Sequence, residues 1–402
     1  MPGNHDSPVH EDLPSFLSAH AADLQTYLAD LIRARTVNPP GDEFRAAKVL
    51  TDFCARHGIA YESFEKQPGR TNVVARIGSG RPRIVVPIHF DTVPAGDGWT
   101  SDPFEPVVRD GRMTGRGAKD NKGPMAGMML AARFLKEHER EFSGQLIFIG
   151  AADEEAGSAL GMQYLLDECG LEAEAAIVPD AGYDMRIIDV GEKGLLHLKV
   201  RAVGRQAHGS EPERGASALW PMVDFLNAIR HWRPPDPQSD LFTAPTLNIG
   251  AIHAGSVPNM VPGQCECMID IRYLPGTEGH AILDHMSGVL HDVEAASPGV
   301  RMELEVISHQ LPSLVSPDHP MVAALERATE AVTGVRPVRL GMSGATVSKF
   351  FILRDIPAIG FSCGPEGAEH TADEWIDMDE LGRFAEVMTQ TLLDLFRGGQ
   401  GA

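Results

Sequence analysis

Two motifs joined by a loop, IVVPIHFDTVP at 84–94 and GRGAKDNKG at 115–123, decide how this chain folds. The apolar start of the first motif predicts a buried strand that ends at His89 and Asp91. Alternate residues of a strand point to one side, so both side chains can leave the strand end together. The second motif places Asp120 in a tight loop just before a segment with helical periodicity. A histidine and a carboxylate in these positions form half of a metal site, and the rest of the chain must supply the other half.

Three further apolar runs predict strands of the same sheet. The runs at 145–152 and 175–178 end in Asp153-Glu154-Glu155 and in Pro179-Asp180, and a third run occupies 356–361. Helical segments separate these runs. Continuously apolar strands separated by helices are typical of a mostly parallel sheet that is covered by helices on both faces.

A different pattern fills residues 187–307. In the runs around 196–202 and 301–306, apolar residues alternate with charged ones. Strict alternation predicts strands with one wet face, which is typical of an antiparallel sheet, and two amphipathic helices would cover the dry face. The sequence therefore predicts an α/β domain, residues 1–186 and 308–402, that is interrupted by a separate α+β unit, residues 187–307.

Composition excludes several classes of function. The chain has 402 residues and a formal net charge of −21, so its overall field does not favour nucleic acid or an anionic membrane. No window approaches the roughly 20 apolar residues of a membrane span. Five scattered cysteines do not suggest a disulfide framework, and the polar N-terminal residues lack the pattern of a secretory signal. These features predict a cytoplasmic enzyme.

Polar residues that follow the buried strands or lie in the nearby loops are the candidate site. Ligands of open α/β sheets bind beyond the carboxyl ends of the strands, so these side chains are expected to converge on one crevice. Two imidazoles with several carboxylates are the ligand set of a zinc or related hydrolytic centre. The candidates are His89, Asp91, Asp120, Glu154, Glu155, Asp180 and His370.

Over most of its length, the chain resembles the M20 family of metallopeptidases and deacylases. This family includes acetylornithine deacetylases, succinyl-diaminopimelate desuccinylases, carboxypeptidases of the G type and carnosinase-like dipeptidases. The resemblance implies a catalytic domain with an inserted lid domain that commonly forms a homodimer. The matching segments, in the family's order, are HFDTVP at 89–94, WTSDPF at 99–104, GRGAKDNKG at 115–123, DEEAGS at 153–158, PD at 179–180, AHGSEPERG at 207–215, NMVPG at 259–263, DIRYLPG at 270–276 and HTADEW at 370–375.

The resemblance also implies a ligand set for two zinc ions, with cobalt or manganese as alternatives. By position, His89 and Asp180 would hold one metal, Glu155 and His370 would hold the other, and Asp120 would bridge them. The family often has a cis peptide after the bridging aspartate. Asp91 would hydrogen-bond His89 and so select its tautomer.

Catalytic and substrate-binding roles follow from the same resemblance. Glu154 would be the general base that acts on a metal-bridging water. His208 would stabilise the oxyanion of the tetrahedral intermediate, reaching the site from the partner subunit in dimeric members. The positions that match substrate-binding residues are Asn259, Arg272, Gly344 and Thr346.

Together these features predict a di-zinc amidohydrolase that cleaves an N-acyl amino acid or a short peptide with a free carboxylate. A dipeptidase or aminopeptidase of the same family is the alternative. Deacylase relatives usually have Glu where this chain has Asp180, and Val347 stands where an acid is common in the family. Both departures concern the substrate and leave the metal chemistry unchanged.

Two hypotheses from other classes of protein, a serine hydrolase and a non-catalytic binding protein, compete with the metal-dependent amidohydrolase. GFSCG at 360–364 matches the G-x-S-x-G motif of serine hydrolases, with Ser362 as the nucleophile. However, His370 is the only later histidine, and the expected order of acid and then histidine has little room. A non-catalytic binding protein on the same fold would be expected to lack a ligand or the base, and this chain has Glu154 and all five ligands.

Overall fold

The computed structural model describes residues 8–398. Within them the chain forms two compact units. The first contains the chain up to Val190, Val315–Leu340 and the chain from Thr346 onward. The second contains Gly191–Leu314 and Gly341–Ala345. The sequence placed the two boundaries at 186/187 and 307/308.

The helices and strands are numbered here in chain order. The helices are α1 (Pro8–Ala19), α2 (Ala21–Arg33), α3 (Phe44–His57), α4 (Lys122–Glu137), α5 (Met162–Asp167), α6 (Leu219–Ile229), α7 (Gly279–Ala295), α8 (Pro320–Thr333), α9 (Ser348–Ile352) and α10 (Met378–Gly398). The strands are β1 (Ala60–Glu65), β2 (Thr71–Ser79), β3 (Arg83–His89), β4 (Val107–Arg109), β5 (Arg112–Thr114), β6 (Gly144–Ala151), β7 (Ala175–Val178), β8 (Ile187–Glu192), β9 (Gly194–Val203), β10 (Thr246–Ala254), β11 (Gln264–Tyr273), β12 (Arg301–Gln310), β13 (Ser313–Leu314), β14 (Val338–Met342), β15 (Ala358–Gly360) and β16 (Trp375–Asp377).

A mixed sheet with a parallel centre forms the middle of the first unit, as the sequence predicted. Its strand order is β1-β2-β6-β3-β7-β15-β8. The central strands β6, β3, β7 and β15 are parallel, whereas β1, β2 and β8 join the sheet by antiparallel pairing. Pro87 lies within β3, which pairs with β6 along its whole length but with β7 only at Ile84 and Val85. This limit agrees with the missing N–H of proline.

Helix α4 is the element that brings the second motif to the sheet. It packs on β2 and β3 on one side and on α2 and α10 on the other. Small residues allow this close packing: a Cβ added at Gly127 would lie 2.9 Å from the ring of Phe384. The start of α4 is therefore held firmly beside the ends of the central strands.

Helical periodicity predicts one helix over 15–36, polar composition predicts a loose tail over 1–12, and a Gly/Asp/Pro-rich stretch predicts a loop over 92–112. The structure differs in each of these places. A single helix was predicted at 15–36, but two helices, α1 and α2, meet at His20. Residues 1–12 were predicted to be a tail; residues 1–7 lie outside the described part, and α1 already begins at Pro8. The predicted loop at 92–112 contains β4, which joins β5 and β16 in a small sheet. Its strands are three residues long, and β16 lies far along the chain, so periodicity could not reveal them.

The second unit is a four-stranded antiparallel sheet with strand order β10-β11-β9-β12. Alternation along β9 buries Leu196, Leu198, Val200 and Ala202, which share a core with residues of α6 and α7. The predicted antiparallel sheet with one wet face is thus confirmed. Among the described residues, no helix combines the length and the apolar character that crossing a membrane requires.

Candidate metal centre

Three parallel strands deliver the predicted residues to one edge of the sheet. β3 ends at His89, and β7 is followed by Pro179 and Asp180. β6 ends at Ala151 and leads into a 3₁₀ turn, Glu154–Ala156. Because carboxyl ends of parallel strands meet at one edge, these side chains lie together.

Five of the predicted residues come within contact distance. His89 Nε2 lies 3.0 Å from Asp120 Oδ1 and 3.7 Å from Asp180 Oδ1. His370 Nε2 lies 3.1 Å from Asp120 Oδ2 and 3.4 Å from Glu155 Oε1. Asp120 therefore lies between two imidazoles, with one carboxylate oxygen facing each of them.

The chemistry and spacing of these atoms fit a pair of metal ions. Two groups of potential ligands, one from His89, Asp120 and Asp180 and one from Asp120, Glu155 and His370, each have their ligand atoms within 4.8 Å of one another. Ligands about 2.1 Å from a tetrahedral zinc ion lie about 3.4 Å from each other, which is close to the distances above. Glu155 Oε1 is also buried without a hydrogen-bond partner among the described residues, as expected of a metal ligand.

In the metal-free protein, the neighbouring carboxylates raise the pKa values of both imidazoles. Burial alone would lower the pKa of His89, but Asp120, Asp180 and Asp91 raise that pKa well above its usual value. The nearby carboxylates of Asp120 and Glu155 raise the pKa of His370 to about 10. His370 is therefore protonated at neutral pH in the metal-free protein, and binding of a metal through its Nε2 requires that proton to leave.

Glu154 lies beside the ligands but belongs to neither group. Burial and the negative charge of Asp180 raise the pKa of Glu154 well above its usual value. With His89, Asn121 and Asp180, Glu154 is among the residues that line a small cavity of about 10 Å³. A carboxyl group with a raised pKa beside potential metal ligands is suited to proton transfer.

Asp91 connects the first histidine to the turn that carries Glu154. His89 Nδ1 lies 2.9 Å from the backbone oxygen of Asp91 and 3.5 Å from its carboxylate, so the backbone oxygen is the nearer acceptor. The Asp91 carboxylate accepts hydrogen bonds from the N–H groups of Glu154 and Glu155, both at 3.1 Å. The expected cis peptide between Asp120 and Asn121 is also confirmed.

A buried ion network behind the 3₁₀ turn was missed at the sequence level. Arg70 donates two hydrogen bonds of 2.7 Å to Glu43 and one of 2.8 Å to Asp153. Asn38 donates to Asp153 at 3.4 Å and to Asp91 at 2.8 Å, and so joins this network to the site. Asp153 was singled out only as part of DEE, and Glu43 and Arg70 carry no motif that marks them.

The remaining predicted residues lie elsewhere in the chain. His208, Asn259, Arg272 and Gly344 belong to the second unit, and Thr346 begins the last segment of the first. His208 is exposed, with Nδ1 2.7 Å from Ser210 Oγ.

Arg272 is already engaged within the second unit. Its Nε and Nη2 donate to the two oxygens of Asp270 at 2.9 and 3.1 Å, and Nη1 donates to the backbone oxygen of Ser343 at 3.1 Å. Three of the five guanidinium donors are used in this way, and the other two have no acceptor within residues 8–398.

Ser362 does not have the surroundings of a nucleophile. Its side chain is buried, and its hydroxyl donates to backbone oxygens of Pro179 and Cys363. Neither partner is a base, so nothing in its hydrogen bonding supports the serine hydrolase alternative.

Comparison with known proteins agrees with this arrangement. Residues 85–394 match the model of peptidase family M20/M25/M40, and the chain belongs to this family. A succinyl-diaminopimelate desuccinylase of Gluconacetobacter diazotrophicus is 31% identical, over 89% of this chain and 92% of the relative. An acetylornithine deacetylase of Vibrio campbellii is 26% identical, over 95% of this chain and 98% of the relative.

A solved structure with the same fold is a dinuclear metal-binding M20 peptidase from Bacillus subtilis. It aligns with a TM-score of 0.71 and 17% identity, over 94% of this chain and 99% of the other. The family membership makes this protein a metal-dependent hydrolase that acts on amide bonds.

Proposed function

We propose that this protein is a two-zinc amidohydrolase that releases an amino acid from an N-acyl amino acid or short peptide with a free carboxylate. The observation that supports it most directly is Asp120, whose two oxygens face the Nε2 atoms of His89 and His370. A carboxylate between two such imidazoles suits a bridging ligand. The deacylase activities named for the two relatives support the substrate class.

The ligand roles are assigned by these contacts. We propose that His89 and Asp180 hold one cation, Glu155 and His370 hold the other, and Asp120 serves both. Bound divalent cations would polarise the amide carbonyl and lower the pKa of water, and cobalt or manganese could serve as well as zinc.

Glu154 is proposed as the general base. Its carboxylate takes a proton from the attacking water while the water oxygen bonds to the carbonyl carbon. The C–N bond then breaks, and Glu154 gives the proton to the leaving nitrogen. Two features support this role: the pKa of Glu154 is raised, and its backbone N–H is anchored by Asp91.

Residues of the second unit are proposed to recognise substrate, with this unit as lid and dimerisation domain. His208, supplied by the partner subunit of a homodimer, would stabilise the oxyanion, and Asn259 would contact the substrate. The two remaining donors of Arg272 would bind the substrate carboxylate. Gly344 of the second unit and Thr346 of the first unit are proposed to contact the substrate as well.

A dipeptidase or aminopeptidase remains a second candidate function. Asp180 favours it, because the resemblance associates aspartate at this position with those branches. A cytoplasmic location is proposed for either function, since all five cysteines are free thiols.

The test is a hydrolysis screen of the chelator-treated protein. N-acetyl amino acids, N-succinyl amino acids and dipeptides would be offered with and without added Zn²⁺, Co²⁺ or Mn²⁺. Amide hydrolysis that depends on metal, and that falls about 10²–10⁴-fold in Glu154→Gln, is expected. Glu62→Gln, which changes an exposed carboxylate on β1, is the matched control.

Two results would contradict the proposal. Full turnover by Glu154→Gln would show that Glu154 is not the general base. Turnover that survives chelation would show that the reaction does not need the metal ions.

A further inference from the structure

A buried carboxylate that is not among the proposed metal ligands accepts hydrogen bonds from backbone N–H groups of the loop that carries Asp120. Glu374 is 1% exposed and lies just before β16. Its Oε1 accepts from the N–H groups of Lys119 and Asp120 at 2.8 and 2.9 Å. Its Oε2 accepts from the N–H of Gly117 at 2.9 Å and from Nη1 of Arg116 at 2.7 Å.

This arrangement uses the full accepting capacity of the group. An ionised carboxylate has about four lone-pair sites, and each oxygen of Glu374 receives two donors. Such hydrogen bonds are stronger than neutral ones because the acceptor is charged. Without the carboxylate, three backbone N–H groups of one short loop would be buried with no acceptor, which would destabilise the conformation of the loop.

One of these contacts connects a proposed ligand, Asp120, to the chain segment that carries another proposed ligand, His370. Asp120 donates its own N–H to Glu374, and His370 lies in the segment that leads to Glu374. Both belong to the ligand group formed with Glu155. In the other group, His89 ends β3 and Asp180 follows β7, so the sheet itself places them.

We propose that Glu374 is a positioning residue that sets the geometry of the Asp120–Glu155–His370 metal position before the cation binds. This inference rests on the proposed function, because it assumes that these side chains hold metal. Glu374 does not touch the metal or the substrate; it acts through the loop that carries Asp120 and through the segment that carries His370. The other metal position depends on Glu374 only through Asp120.

A purely structural role would give a different result. Glu374 precedes β16, which pairs with β5, so its loss could simply weaken the small sheet. In that case stability would fall while the metal affinities of the folded protein stayed the same. Metal affinity therefore separates the two roles, and activity alone does not.

The test is a titration of chelator-treated protein with Zn²⁺ against a chromophoric chelator, for the wild type and Glu374→Gln. Glutamine has the same shape but turns an NH₂ group toward N–H donors. We expect two equivalents of zinc to bind the wild type. In Glu374→Gln, one equivalent should bind about 10–100-fold more weakly, with a much smaller change in the other.

The matched control is Glu380→Gln. Glu380 is also buried and accepts a backbone hydrogen bond, from Gly364 at 2.7 Å, but within residues 8–398 its side-chain hydrogen bonds reach neither the loop of Asp120 nor residues 370–374. It should lower thermal stability and leave both zinc affinities unchanged. Equal zinc binding by the wild type and Glu374→Gln would overturn the inference, as would equal weakening of both equivalents.

A second measurement needs no variant and covers the case in which Glu374→Gln does not fold. Amide hydrogen exchange of the metal-free wild type should show protection of Gly117, Lys119 and Asp120, because Glu374 already holds these N–H groups. Protection that appears only after zinc is added would overturn the inference. A wild type that binds no zinc would overturn the proposed function and this inference with it, whereas the outcomes above leave the proposed function intact.

Discussion

Replacing Arg70 by methionine is expected to destabilise the first unit strongly, because Arg70 is the cation shared by two buried carboxylates. Its side chain is 13% exposed, whereas Glu43 and Asp153 are 0% and 7% exposed. Glu43 also accepts the backbone N–H of Asp153 at 3.1 Å. Methionine fills much of the same space but leaves both carboxylates without a positive partner.

The free energy of unfolding is expected to fall by about 3–5 kcal/mol, which is the cost of removing one partner from a buried ion pair. Arg45→Met is the control, because Arg45 pairs with Asp42 at 3.1 Å and both side chains are more than 40% exposed. An exposed pair of this kind contributes about 0–1 kcal/mol. The difference between the losses in free energy of unfolding of the two variants therefore measures the effect of burying the charges.

The loss should also depend on pH. Burial raises the pKa of Glu43, and its hydrogen bonds with Arg70 oppose that rise. Removing Arg70 should raise this pKa further. A carboxyl group with a raised pKa in the folded state loses stability as pH rises through that pKa, so the deficit of Arg70→Met should be larger at pH 8 than at pH 5.

Urea unfolding of metal-free protein at pH 5 and pH 8, followed by circular dichroism, would measure both effects. The double variant Arg70→Met/Glu43→Gln should recover part of the loss at pH 8, since it removes one of the uncompensated charges. A loss no larger than that of Arg45→Met, or one that does not grow with pH, would refute the reasoning.

Three further predictions concern packing, protons and substrate. Gly150→Ala should lower the free energy of unfolding in urea by about 1–3 kcal/mol, because the new Cβ would lie 2.0 Å from the ring of Phe90. Gly382→Ala is the control, because a Cβ at Gly382 would have open space around it. Since the pKa of His370 is about 10, metal-free stability should fall as pH rises from 6.5 toward 10, while zinc affinity measured by competition rises about tenfold per pH unit for each proton displaced. A pH-independent affinity would contradict this. Arg272→Lys should lower kcat/KM about 10–100-fold for a substrate with a free carboxylate and change little for its amide; equal losses for both would exclude carboxylate recognition.

Much of the site could be predicted because sheet topology follows from local pattern. The apolar runs that end at His89, Glu154 and Asp180 predicted parallel strands, and parallel strands bring their carboxyl ends to one edge. His370 lies in a loop without such a pattern, and only the resemblance to M20 proteins paired it with Asp120. The small sheet of β4, β5 and β16 escaped prediction because strands of three residues have no measurable periodicity.

The contacts that surround the proposed ligands could not be predicted from sequence patterns. Glu374 meets the N–H of Asp120 across 254 residues of chain, and Arg70 meets Asp153 across 83. Arg70 lies in no motif, and although Glu374 lies in the HTADEW segment, nothing in that segment indicated that its carboxylate would accept the backbone N–H groups of another loop. The contact of the Asp91 carboxylate with the N–H groups of Glu154 and Glu155 likewise depends on where β3 and β6 end relative to each other.

Hydrophobic periodicity and chain order were enough to predict the α/β unit and the antiparallel second unit, and together with the family motifs they proposed the residues of the candidate site. These are properties of neighbouring residues, because burial of a strand or a helix face depends on side chains a few positions apart. Only the folded chain decided which charges are buried together, which N–H groups a carboxylate receives and which pKa values change. Those quantities depend on distances of about 3 Å between residues that are remote in sequence, and such distances exist only once the sheet and its loops have packed.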